Sequence, residues 1–137
     1  MNVAIVFDSE TGTTKAAAEA MAELVRAAGH HCTVSSVQDT DPATVSAADA
    51  ICVGSWCKGL FFIRQHATEA TMGFIDGLSN LDGKPAAVFC TYKTAAGRML
   101  PKMAARLRNR GANVSGSFKA RGPVAAKGFD DWVSSLG

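Results

Sequence analysis

The sequence predicts an α/β sandwich in which a parallel five-stranded sheet is covered by helices on both faces. Three observations predict it. Short apolar runs alternate with helical patterns along the whole chain. Most of those runs are continuously apolar, as strands buried on both faces are. The chain has 137 residues, the size of one domain with one core, and residues 1–137 read as one unit without repeat, linker or low-complexity stretch.

Val3-Ala4-Ile5-Val6-Phe7 is the first strand. After a polar turn, Ala17, Met21, Leu24, Val25 and Ala28 recur at helical spacing, and Gly29 stands where a helix stops. Residues 32–37 form a second, weaker strand, and Asp41-Pro42 opens a short helical turn. Residues 50–54 are a third buried strand, and 55–66 read as a long irregular segment. Thr71, Phe74, Ile75 and Leu78 give one apolar helix face, weakened by Gly73 and Gly77. Leu81-Asp82-Gly83-Lys84 turns into a fourth strand over 85–90. Leu100, Met103, Ala104 and Leu107 mark the next helix, stopped by Gly111. Residues 112–118 are the fifth strand, and Phe129, Trp132, Val133 and Leu136 mark a closing helix.

Composition excludes several classes. Hydrophobic residues make up 47% and charged residues 19%, far from a disordered chain. A net charge of +2, with no run of Lys and Arg, gives no nucleic acid partner. No apolar run approaches the roughly 20 residues of a membrane span, and no leader pattern precedes the first strand. Cys32, Cys52, Cys57 and Cys90 lack a CxxC pair or histidines at metal spacing, so they read as reduced thiols of a cytoplasmic protein. His30, His31 and His66 form no recognisable metal or triad constellation, and no metal is expected.

In a doubly wound sheet the ligand lies beyond the carboxyl ends of the strands, where the strand order reverses. The loops after the first, third and fourth strands therefore carry the function. The first reads Ser9-Glu10-Thr11-Gly12-Thr13-Thr14, with a helix directly behind it. A phosphate needs many donors in a small concave space, and hydroxyls and the free amides of a helix N-terminus supply them. Gly12 lets the backbone close tightly. Neither G-x-x-x-x-G-K-[ST] nor G-x-G-x-x-G is present, and a nest of hydroxyls suits a terminal phosphate monoester. Helix capping alone would use one such hydroxyl, not four.

Ser9-x-Thr11-Gly12-x-Thr14 after an apolar first strand resembles the phosphate loop of flavodoxins. The order of elements and the length resemble the short-chain members over essentially the whole chain. The resemblance implies the strand order 2-1-3-4-5 and one non-covalently bound FMN. It implies that Ser9, Glu10, Thr11, Gly12, Thr13 and Thr14 lie at its phosphate.

After the third strand comes Gly54-Ser55-Trp56-Cys57-Lys58-Gly59. A flat ring needs an aromatic wall and a loop whose backbone amides face its polar edge. Flavodoxins carry a similar Gly-x-x-Trp-x-x-Gly loop, and here Trp56 comes one residue earlier than is common. After the fourth strand, Thr91-Tyr92-Lys93 leads to Gly97, and Tyr92, the only tyrosine, stands where the second wall is expected. This loop resembles the short Ser-Tyr-Gly version in the flavodoxin domains of flavodiiron proteins, with Lys93 in place of the glycine. Cys57 and Cys90 fall near the ring in such a fold. A catalytic thiol needs a lowered pKa, and only Lys58 is adjacent to help.

With no general acid, base or substrate pocket in the pattern, no catalytic residue is expected, and the reading is a monomeric carrier passing electrons to a redox protein. A small FMN-dependent reductase of a quinone or similar acceptor, and a module of this fold without the flavin, are the alternatives. Flavodoxins are typically acidic, with carboxylates near the ring. Here Lys58, Arg64, Lys93 and Arg98 surround the expected site, and segments 55–68 and 90–103 hold no Asp or Glu. With Lys102, Arg106, Arg108 and Arg110 they predict a basic docking face.

Overall fold

The computed structural model describes residues 1–60, 63–92 and 98–137, with the backbone alone for 58–60 and 63–66. The elements follow in the order β1 (Asn2–Asp8), α1 (Thr13–Ala27), β2 (His31–Ser36), α2 (Pro42–Ser46), β3 (Ala50–Trp56), β4 (Lys58–Leu60), β5 (Ile63–His66), α3 (Glu69–Asp76), β6 (Pro85–Thr91), α4 (Met99–Asn109), β7 (Asn113–Ala120) and α5 (Phe129–Ser135). Five strands pair in parallel in the order β2-β1-β3-β6-β7. This is the expected topology, β6 and β7 being the fourth and fifth strands of the sheet.

Period-two alternation sends successive strand side chains to opposite faces. Val3, Ile5, Phe7, Cys52 and Phe89 meet Met21 and Val25 of α1 and Phe129 and Trp132 of α5. Ala4, Val6, Ile51, Val53 and Val88 meet Phe74 and Ile75 of α3 and Met103 and Leu107 of α4. Gly54 is required by this packing, because a Cβ there would stand 2.0 Å from Cζ of Phe89.

Segment 55–66 departs from the expected irregular loop. β3 runs on to Trp56, and β4 and β5 form an antiparallel pair with Lys58 opposite His66 and Leu60 opposite Ile63. The Leu60-Phe61-Phe62-Ile63 run carries no turn residue that would announce a hairpin. The parallel register sets Asp8 beside Ser55, Ser55 beside Cys90, and Trp56 beside Thr91. The three loops of interest therefore leave one edge at the same height.

Candidate functional site

Gly12 is the N-cap of α1, with φ at 89° and no side-chain hydrogen bond capping the helix. Its N–H instead donates to Ser9 Oγ at 3.0 Å, which folds the loop back on itself. The hydroxyls of Thr11 and Thr13 stand 3.3 Å apart beside it. Ser9 and Thr13 are half-buried, while Glu10, Thr11 and Gly12 are exposed.

Helices α2, α3 and α5 have a capping side chain or an acid in the first turn, whereas α1 and α4 have neither, and α4 alone of the two starts at a cation, Arg98. Asp41 caps α2 by accepting from the Thr44 N–H at 2.8 Å. Thr68 caps α3 by accepting from the Thr71 N–H at 3.2 Å. The first turn of α5 carries Asp130 and Asp131. The first turn of α1 has neither a capping side chain nor an acid, so the positive end of its dipole is left for another anion. The hydroxyl-rich loop is thus not spent on capping. Its donor set fits a phosphate.

Thr14 is placed differently from its neighbours. Its hydroxyl is buried and lies 2.6 Å from that of Thr91, the last residue of β6. This contact ties the first turn of α1 to the start of the loop after β6. Thr91 in turn accepts at its carbonyl from the Cys57 N–H at 3.1 Å.

Ser55 is buried at the end of β3, donating to the Trp56 carbonyl at 2.9 Å and accepting from the Thr68 N–H at 3.1 Å. Trp56 and Tyr92 are half-buried and follow one another across neighbouring strands, since Trp56 pairs with Thr91. Tyr92 packs against the core on the α3–α4 face, and its N–H donates to the Ala120 carbonyl at 3.2 Å. Lys58 and Gly59 lie on the backbone of β4. Lys93 and Gly97 lie outside the described residues.

Burial pushes the thiols up. Desolvation raises Cys90 to about 12, and raises Cys57 as well. On the far side, Cys32 rises to about 11 and Cys52 is raised also, both mainly by desolvation. None of these shifts favours a thiolate.

The expected row of cations on α4 is partly engaged by the fold itself. Arg106 pairs with Asp76 at 2.6 Å, Arg110 donates to the Leu78 carbonyl at 2.7 Å, and Arg108 reaches the Val114 carbonyl at 3.3 Å. Arg98 and Lys102 are exposed.

Sequence reasoning passed over Asp8, Gln38 and Thr68. Asp8 is buried at the end of β1 and accepts from the Thr68 hydroxyl at 2.5 Å and from Gln38 Nε2 at 3.1 Å. The one local signal was Thr68-Glu69-Ala70-Thr71 before an apolar helix face, which marks a cap.

Comparison with known proteins bears on this geometry. A family model described as Flavodoxin matches residues 5–133. The two-electron reduced flavodoxin of Megasphaera elsdenii superposes with a TM-score of 0.80 at 23% identity, covering 97% of this chain and 98% of that one. The Streptococcus pneumoniae flavodoxin gives 0.81 at 22% identity, covering 99% and 97%. The flavodiiron protein of Giardia intestinalis gives 0.65 at 19% identity, covering 98% of this chain and 33% of that one. A comparison with curated proteins finds no match.

Proposed function

This chain belongs to the flavodoxin family and is an FMN-binding electron-transfer protein, and we propose that its flavin lies across the edge formed by the loops after β1, β3 and β6. Bound FMN supplies the redox chemistry by taking up and releasing electrons. The residues of the chain bind it and orient it. The FMN phosphate lies at Ser9, Glu10, Thr11, Gly12 and Thr13 before the uncapped first turn of α1, with Thr14 bracing that turn against Thr91. The observation that carries this reading is the bare N-terminus of α1 inside a loop of hydroxyls. Trp56 and Tyr92 form the ring walls, with the backbone of Ser55, Cys57, Lys58, Gly59 and Thr91 along its polar edge; the cofactor-binding candidates Lys93 and Gly97 lie outside the described residues. Three loops of one copy complete this site, and we propose that the protein works as a monomer.

We place the docking face for an acidic redox protein over the β6–β7 side of the same edge. Arg98, Lys102, Lys119, Arg121 and Lys127 are exposed on the elements and loops there and outnumber the exposed Asp130 and Asp131 of the same side. Glu10, Asp39 and Asp41 are exposed at the β1–β2 side. The buried thiols Cys52 and Cys90 suit a reducing compartment, and we propose the cytoplasm.

An absorbance spectrum of the purified protein after FMN addition and removal of free flavin tests the site. Stoichiometric bound flavin is the expected result. Protein that retains none overturns it.

A further inference from the structure

Every buried polar side chain among the described residues belongs to one group at the carboxyl edge or the adjoining turn of α3. They are Asp8, Thr14, Ser55, Thr68, Thr71 and Thr91. Asp8 is the only one of these with a charge, and it takes part in neither ion pair of the described residues. A carboxylate without a cation is costly to bury unless hydrogen bonds and dipoles replace its water. Gln38, the Thr68 hydroxyl and the N-terminal turn of α3 do so.

Counting protons fixes the direction of the network. A carboxylate only accepts, so the single hydroxyl proton of Thr68 goes to Asp8. The Thr71 hydroxyl, 2.7 Å away, must then donate to Thr68, as the Thr71 N–H does. With its side chain held on Asp8, Thr68 presents its N–H to Ser55 Oγ, whose own proton goes to the Trp56 carbonyl. The carboxylate is thus linked to the Ser55–Trp56 backbone by hydrogen bonds that each run one way. Neither of its contacts goes to residues 9–14, although that loop begins one residue later.

We infer that Asp8 is a positioning residue for the flavin ring, acting through Thr68 on the Ser55–Trp56 backbone and not on the phosphate loop. The inference rests on the FMN site proposed above. The cap of α3 and the ring-side loop then share one anchor, and removing it loosens the ring's seat while leaving the phosphate's intact.

The test is fluorescence titration of the full chain with FMN and with riboflavin, alongside its unfolding midpoint, for Asp8→Asn, Thr68→Val and Thr68→Ser. Asp8→Asn keeps the shape, and Gln38 can turn its amide to present oxygen to the new NH2 group. Asp8→Asn and Thr68→Val should weaken both flavins by the same factor, about tenfold, on the scale of one charge-assisted hydrogen bond. Thr68→Ser should bind both like the parent. Loss of FMN affinity with riboflavin unchanged would assign Asp8 to the phosphate loop and overturn the inference. Unchanged affinities with a lowered unfolding midpoint would make it a structural clamp only. If Asp8→Asn does not fold, Thr68→Val and Thr68→Ser carry the same comparison. A parent protein that binds neither flavin would sink the site itself, a result distinct from all of these.

Discussion

Trp56 ends β3 opposite Thr91, the last residue of β6, and Tyr92 follows Thr91 directly, so their backbones are fixed while both residues remain half-buried. Replacing Trp56 with Ala should weaken FMN binding by about 1–3 kcal/mol, the scale of aromatic stacking and burial, and bound-flavin fluorescence should rise as the quenching ring is lost. Titration of the variant checks this, and parental affinity would move the wall to other residues. Gly54→Ala tests packing instead of binding. The added methyl meets the fully buried ring of Phe89 on the neighbouring strand and should cost about 1–3 kcal/mol or more, read by urea unfolding. The buried thiols set a pH dependence. An unfolded thiol ionises near 9.0, whereas folded Cys90 holds its proton to about 12. The folded state loses nothing below the first value. Between the two, only the unfolded chain gains by ionising, so stability should fall as pH rises through that window, and Cys90→Ala should blunt the fall.

At the scale of elements, α1 makes the test of ligand choice. A helix start with no cap and no acid favours a dianion, and a terminal phosphate offers more acceptor oxygens than the esterified phosphate of FAD. FMN should therefore bind more tightly than riboflavin or FAD by several kcal/mol, at about 1.5–3 for each charge-assisted hydrogen bond lost. Equal affinity for FMN and riboflavin would remove the phosphate from this loop. What was legible in the sequence follows from the range of the forces involved. The buried strands and the helix faces are read from apolar periodicity, which is local, and Ser9–Thr14 is a local motif. β4 and β5 were missed because a short antiparallel pair with no Gly or Asn turn has no local mark. Asp8 was missed for the opposite reason. Its partners Gln38 and Thr68 lie 30 and 60 residues away, and only the pairing of β1 with β2 on one side and β3 on the other brings them together.

Over the whole molecule, charge decides how the flavin's potential and its partner respond to salt. Counting carboxylates along segments 55–68 and 90–103 finds none, but the fold brings Asp8 to Thr68 and so sets one buried negative charge under the ring-side loop. Against it stand exposed cations, among them Arg98, Lys102, Lys119 and Arg121. On the β6–β7 side these exposed cations, with Lys127, outnumber the exposed Asp130 and Asp131, so the second one-electron reduction should be less negative than in an acidic flavodoxin measured alongside. Each 1.4 kcal/mol or so of stabilisation of the reduced anion raises that step by about 59 mV. The two kinds of charge part company when salt is added. Exposed cations are screened over a Debye length of about 10 Å at 0.1 M, while a buried carboxylate is screened much less. Added salt should therefore drive the second step more negative, toward the value set by Asp8, and slow association with an acidic partner in parallel. Potentiometric titration at low and high ionic strength measures the first effect, and stopped-flow electron transfer measures the second. A second step that becomes less negative with salt would mean that carboxylates, not these cations, dominate the field at the flavin. Electron transfer indifferent to salt would leave the β6–β7 side without a docking role.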